Sequence, residues 1–182
     1  MTAIKTTVTY LELVPPGPRL ESLPMGSNIA LMRAGKLELH FYRYLMFRVG
    51  KPWNWVYRLR MPDEELISII HSETTDIHVL YLDGAPAGFF EIDRSAESES
   101  NIAYFGMMMH AAGRGLGRWF LSEAVRSALS SNPAKITVNT CTLDHKAALP
   151  LYQKMGFIPT GRQDVMINPL TEAELLSLSV RD

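Results

Sequence analysis

Hydrophobic and polar positions fall into runs of two periods along the chain. Over residues 6–13 the apolar set Val8, Tyr10, Leu11 and Leu13 reads as a strand, which the Pro15-Pro16-Gly17-Pro18 cluster ends. Residues 19–35 are irregular, with Pro24 and Gly26 as breakers. Over 36–49, Leu37, Phe41, Tyr44, Leu45 and Val49 recur at helical spacing until Gly50, Lys51 and Pro52 stop them. An unusually aromatic segment follows, Trp53-Asn54-Trp55-Val56-Tyr57. Asp63 then opens a short helix, 64–71, with acids in its first turn as the helix dipole prefers. Runs 77–82 and 88–93 read as a hairpin about Asp83-Gly84. After a polar loop, the long apolar run 102–109 reads as a central strand.

Helical spacing returns after this antiparallel meander. Gly113-Arg114-Gly115-Leu116-Gly117 leads into a helix over 116–130, with a stripe of Leu116, Phe120, Ala124 and Ala128. Arg118, Ser122 and Arg126 share its opposite side. Asn132-Pro133 ends it, and 136–141 is a strand with Ile136, Val138 and Thr140 on one face. A second helix is predicted over 146–155, capped by Gly156. Phe157, Ile158 and residues 165–167 supply a final strand or hairpin. The order β-α-α-β-β-β-α-β-α-β is mixed α+β, with a βαβ crossover in its second half.

Composition narrows the class. At 182 residues, 47% hydrophobic and 20% charged, the chain is expected to form one globular domain over 1–182. A lone cysteine, Cys141, excludes an intramolecular disulfide framework and suits a reducing cytoplasm. The start, Met1-Thr-Ala-Ile-Lys, has no basic-then-apolar leader, and no run reaches the length of a membrane span, so a cytoplasmic protein is expected. A net charge of −1 gives no general pull toward nucleic acid. Charge is segregated all the same. Residues 19–60 carry eight Lys/Arg against Glu21 and Glu38, and residues 61–99 carry ten Asp/Glu against Arg94. Such a split either steers a charged ligand into a cleft or leaves two solvated surfaces that partly neutralise each other.

The glycine-rich turn is the first chemical signal. Glycines between a strand and a helix let backbone N–H groups converge at the positive end of the helix dipole, a setting for a phosphate. Arg114 and Arg118 add charge beside it. The Lys-Ser/Thr of a nucleotide P-loop is missing, since Arg118-Trp119 follows Gly117. A dinucleotide fold would place such glycines after an early parallel strand. A phosphate binder of another kind stays open, as does a purely steric tight turn.

Two blocks carry a family likeness. Tyr104-Phe105-Gly106-Met107-Met108-Met109 running into Gly113-Arg114-Gly115-Leu116-Gly117 resembles the signature of the GNAT superfamily of acetyl-CoA-dependent N-acetyltransferases. The stretch 140–157, with His145, Ala148, Tyr152 and Gly156-Phe157, is similar to that family's closing motif. Together they cover about a third of the chain, 101–161. The resemblance implies a GNAT-like mixed, mostly antiparallel sheet flanked by helices, with a splayed strand pair forming the CoA cleft. It implies that the backbone of Met107, Met108 and Met109 pairs with the pantetheine arm. It implies that N–H groups of Gly113, Arg114, Gly115, Leu116, Gly117 and Arg118 hold the pyrophosphate, and that a strand N–H near 105–107 polarises the thioester carbonyl. Tyr152 stands where a tyrosine protonates the departing thiolate, and His145 replaces a family asparagine at the cofactor. No metal is implied.

Departures matter too. Ala112 stands where many relatives open the turn with Gln or Arg, and Pro150 requires the last helix to begin near Ala147. Asn101 stands where some relatives carry a catalytic glutamate, so Glu91 is the first candidate base, with Asp93 and Glu99 behind it. His110 and Cys141 near the cleft are weaker candidates for base and nucleophile, and His40, His71 and His78 show no metal spacing. Trp53, Trp55 and Tyr57 are expected to wall the acceptor pocket, or else to be core. Their aromatic rings suit an aromatic or cationic amine, and the acidic stretch 61–99 a polyamine or lysine-like one. The expected activity is transfer of an acetyl group from acetyl-CoA to a primary amine by direct attack. The alternative is a GNAT-fold acyl-CoA sensor or scaffold without catalysis, which Asn101 favours. An exposed strand edge near the C-terminus leaves a homodimer open.

Overall fold

The computed structural model describes residues 2–17, 19–24 and 28–179. Pro18 and Gly26, two of the expected breakers, lie outside them. The described strands are β1 (Ile4–Leu13), β2 (Ile29–Ala34), β3 (Thr75–Leu82), β4 (Ala85–Asp93), β5 (Glu99–Met107), β6 (Lys135–Cys141) and β7 (Ile158–Ile167). They form one sheet in the order β2-β3-β4-β5-β6-β1-β7. Every neighbouring pair is antiparallel except β5 with β6. The helices are α1 (Leu39–Gly50), α2 (Tyr57–Arg60), α3 (Asp63–Ile70), α4 (Gly117–Leu129), α5 (Ala148–Lys154) and α6 (Glu172–Ser179), with a 3-10 turn at Lys51–Trp53.

Each sheet face buries its own apolar cluster. On one, α4 lays Phe120, Ala124, Val125 and Ala128 against Leu11, Phe90, Ile102 and Val138, and Tyr152 from α5 joins them. On the other, Tyr42, Leu45 and Val49 of α1 and Leu66 of α3 pack on Ile77, Val79 and Phe89. The Asp83-Gly84 turn has both residues at positive φ, 53° and 84°, as a tight hairpin between twisted strands requires. Pro150 falls in the first turn of α5, where a missing N–H costs nothing.

Several expectations are corrected or narrowed to one of their alternatives. The irregular stretch 19–35 contains β2, an edge strand pairing with β3, whose exposed positions include Ala30 and Met32, so its apolar residues do not alternate with polar ones. The final strand or hairpin is one edge strand, β7, exposed along most of its length and held by backbone pairing to β1. The chain goes on to α6, opened by a reciprocal cap in which Glu174 N–H donates to Thr171 Oγ1 and the Thr171 N–H donates to Glu174. Ser122, expected on the outer side of α4, is buried and accepts a hydrogen bond from the Glu21 N–H. The charge segregation is partly undone in space. Arg33 pairs with Asp76, Arg43 with Asp63 and Arg58 with Glu91, so the basic stretch neutralises the acidic one.

The crossing of α1 and β5 is tight. A Cβ at Gly50 would lie 2.5 Å from Trp55 Cβ, and one at Gly106 would strike Val49 Cγ1 and approach Trp55 Cη2 to 3.1 Å. Gly50 therefore leaves room for the Trp55 indole, and Gly106 for Val49 and the edge of that ring. Gly106→Ala should cost about 1–3 kcal/mol by overpacking, whereas Gly161→Ala on β7, where a Cβ meets nothing within 4 Å, should stay within about 0.5 kcal/mol. Chemical denaturation of both variants checks this, and equal losses would show that the crossing is loose.

Candidate active site

The parallel pair β5–β6 is in register only from Glu99 opposite Lys135 to Ile102 opposite Val138. The next residue on β5, Ala103, is an extra one. On the β4 side Glu91 pairs with Tyr104 while Ile92 pairs with Ile102, so Ala103 has no opposite number. Such a bulge bends its strand and increases its twist. Beyond it β5 follows β4 as far as Met107, and β6 follows β1 as far as Cys141. The two strands part like a fork. The fork opens a cleft of about 810 Å³, within the range of small-molecule sites.

One mouth of the cleft is the glycine turn. Gly113 and Gly115 have φ of 77° and 76°, a left-handed backbone that glycine adopts without strain. Ala111 and Ala112 turn their N–H groups back onto Met108 and Met109. Among the described residues, the N–H groups of 113–119 have no protein acceptor, and Phe120 is the first to bond back, to Leu116 O at 2.8 Å. A row of unpaired donors at the start of a 13-residue helix is a ready anion site. Arg114 and Arg118 lean away, to Asp83 at 3.5 Å and Glu21 at 2.9 Å, and both side chains are more than half exposed.

The other mouth is aromatic. Trp53, Trp55 and Tyr57 all line it, joined by Tyr104 from β5 and Tyr10 from β1. Trp55 is the fixed member. Its ring lies 5.3 Å from Tyr104 and 6.5 Å from Phe89, and its Nε1–H donates to Asp144 Oδ1 at 3.2 Å. Asp144 also accepts from Thr140 Oγ1 at 2.8 Å and the Cys141 N–H at 2.9 Å, so it ties the aromatic segment to the end of β6. Beside it the Trp53 ring meets His145 edge-on at 5.5 Å.

Tyr152 stands between the mouths. It lines the cleft yet is only 5% exposed, wedged between Phe105 and Phe157 at 6.3 and 5.9 Å. Among the described residues no protein group hydrogen-bonds its hydroxyl. Burial, with the nearby Asp144 charge second, pushes this hydroxyl well above the ordinary tyrosine range, so it is a proton donor throughout the neutral range.

The family model for an acetyltransferase (GNAT) domain matches residues 56–167, more than half of the chain. The chain belongs to the GNAT acetyltransferase family. Among solved structures, a GCN5-related N-acetyltransferase from Kribbella flavida superposes with a TM-score of 0.60 at 15% identity, over 95% of this chain and 62% of that one. Another from Sphaerobacter thermophilus gives 0.62 at 17%, over 93% and 54%. This GNAT chain thus spans less than two thirds of either. An aminoglycoside N-acetyltransferase in complex with CoA gives 0.55 at 16%, over 78% of this chain and 95% of its own. At such identities the likeness is one of fold. No curated protein sequence gives a significant match.

Within this GNAT domain the residues singled out from sequence are not all brought together. Met107, Met109, Gly113, Gly117, His145, Tyr152 and the three wall aromatics line the cleft. Met108 does not: its side chain is buried and its N–H donates to Ala87 O at 2.8 Å. Leu116 is core, and Arg114, Gly115 and Arg118 stand at the rim outside the lining. Asn101 lies below the fork, accepting from Thr137 Oγ1 at 3.2 Å.

The expectation of Glu91 as a base does not fit its place. Its side chain is fully buried beneath the wall, accepting from Tyr42 Oη at 2.6 Å and Arg58 Nη2 at 2.8 Å. Burial raises the Glu91 carboxyl, with Arg58 and Tyr42 pulling the other way. Arg58 in turn lies 5.7 Å from the centre of the Tyr104 ring. This ion pair anchors α2, and so the aromatic segment, to the sheet. Asp144, which sequence reasoning passed over, is the one Asp or Glu lining the cleft among the described residues. Its place between a strand end and a helix start was the available signal. Glu91→Gln should cost about 3–5 kcal/mol by leaving Arg58 buried without its partner. It should leave the pH–rate profile unchanged in shape, and loss of the acidic limb, where a general base becomes protonated, with unchanged stability would restore Glu91 as a base.

Proposed function

We propose that this domain transfers an acetyl group from acetyl-CoA to a primary amine by direct attack within a ternary complex. The carrying observation is the row of unpaired N–H groups at 113–119 opening onto a forked cleft with a buried tyrosine at its centre. The N–H groups of the turn take the pyrophosphate, and Arg114 and Arg118 swing in from the rim. Because Met108 is committed to β4, the free edge of β5 ahead of it pairs with the pantetheine arm, as an added strand would. An N–H of 105–107 polarises the thioester carbonyl. His145 borders this arm and, through Trp53, the acceptor.

Within this site the amine nitrogen forms a bond to the carbonyl carbon and the carbon–sulfur bond breaks. Tyr152 gives its proton to the sulfur, and the proton shed by nitrogen returns through water to the tyrosinate. Positioning supplies much of the acceleration. No carboxylate with a free oxygen lines the cleft among the described residues, so the attacking amine gives its proton to water rather than to a side chain. The same observation favours a second reading, a sensor that holds acetyl-CoA without consuming it.

Calorimetric titration with acetyl-CoA, CoA, ATP and NADH tests the cofactor, with heat expected from the two CoA species alone. Tyr152→Phe should slow acetyl transfer by about 10²-fold or more while acetyl-CoA affinity stays nearly intact. Equal turnover in mutant and parent would remove the tyrosine, and no turnover in the parent with any amine would leave the sensor. The pH profile has a definite sign. The raised Tyr152 hydroxyl stays protonated past the ordinary tyrosine value of about 10, so kcat/KM should climb from pH 6.5 to 9 as the amine loses its proton. A fall within that interval would contradict both assignments.

A further inference from the structure

The acceptor half of the cleft has a lopsided inventory of side chains. None of the ten Asp and Glu residues of the acidic stretch 61–99 lines it. They are spent elsewhere. Asp63, Asp76, Asp83, Glu91 and Glu99 pair with basic residues, and the rest sit outside the cleft. Asp144 is the one carboxylate present among the described residues, and both its oxygens already accept hydrogen bonds. No lysine or arginine among the described residues lines the cleft either. Arg58, the basic group against the wall, stands behind the Tyr104 ring with its charge taken by Glu91.

What the acceptor half does offer is ring surface. Trp53, Trp55, Tyr57 and Tyr104 form one wall, and Val8 and Val165 on the far strands face it with apolar surface. Tyr57 is 63% exposed, and its ring has no stacking partner among the described residues. Flat aromatic faces of this kind stack on a planar guest and attract a single ammonium by cation–π contact. They cannot repay the dehydration of a second or third ammonium, which needs carboxylates, nor that of a carboxylate, which needs a cation. We infer that the acceptor is a monoamine carried on an uncharged aromatic body, and neither a polycation nor a free amino acid. This rests on the acetyl transfer proposed above. It replaces the polyamine suggested by the acidic stretch, because that stretch does not reach the site.

Four amines separate the classes. Tryptamine is a ring with one ammonium, tryptophan adds a carboxylate, butylamine removes the ring, and spermidine multiplies the charge. With acetyl-CoA as donor, tryptamine should exceed each of the others in kcat/KM by about tenfold or more. Calorimetric titration into the CoA-saturated protein gives a readout independent of turnover, with tryptamine binding and spermidine and tryptophan giving no heat. Tyr57→Ala, an exposed position, should weaken tryptamine about tenfold and leave acetyl-CoA affinity unchanged. Spermidine or tryptophan matching tryptamine, or tryptamine failing to bind while acetyl-CoA binds, overturns the acceptor class and spares the acetyl transfer. Failure of acetyl-CoA itself to bind overturns both.

Discussion

Parallel strands β5 and β6 stay together for four residue pairs, and the rest of the molecule is arranged around the gap beyond Ile102 and Val138. A parallel ladder continues unless something turns one strand away. Here it is the unpaired residue Ala103, which bends β5 toward β4 just where β6 is held by β1. Because β1 comes from the start of the chain and is itself paired on both edges, with β6 and β7, the second prong of the fork is backed by two strands on the side away from the gap. The gap is thus a property of the sheet rather than of mobile loops, and its free backbone edge is fixed before any ligand arrives.

The aromatic mouth depends on that sheet through a second device. Trp55 enters the space left by Gly50 and Gly106, and its indole N–H reaches Asp144 across the fork. Beneath it the buried Arg58–Glu91 pair, with Tyr42 completing the carboxylate, pins α2 to β4. A buried ion pair is a costly way to gain stability, since dehydration consumes most of the attraction. Its value here lies in direction: it holds a short helix that buries little else, and with it the wall on which an acceptor would lie.

Much of this was legible from the residues in order. The stripe of α4 shows a clear period because it meets one buried environment, the Asp83-Gly84 turn carries its own signal, and β5 stands out by the unbroken apolar run from Ile102. The glycine turn emerged from its own residues, Tyr152 from a family likeness, and the aromatic segment from its composition. Edge strand β2 did not emerge, and β7 emerged only at its two ends, since backbone pairing, which needs no particular side chain, holds both. α6 carried a readable signal, the Thr171-x-x-Glu174 cap, that its weak apolar pattern obscured. The burial of Glu91 was hidden for a different reason. β4 is buried on both faces around it, so alternation cannot separate a carboxylate facing a cleft from one facing an arginine 33 residues away in sequence. Asp144 was passed over because its three donors come from Trp55, Thr140 and Cys141, a convergence that only the folded fork produces.

The proposed role of the fork is to hold an acyl donor by backbone. Amide hydrogen exchange with and without acetyl-CoA tests that claim most directly, because it reads the N–H groups themselves. Slowed exchange confined to residues 103–107 and 113–119 is the result expected. Unchanged exchange there at saturating acetyl-CoA, or protection elsewhere, would contradict it and return the glycine turn to a steric role.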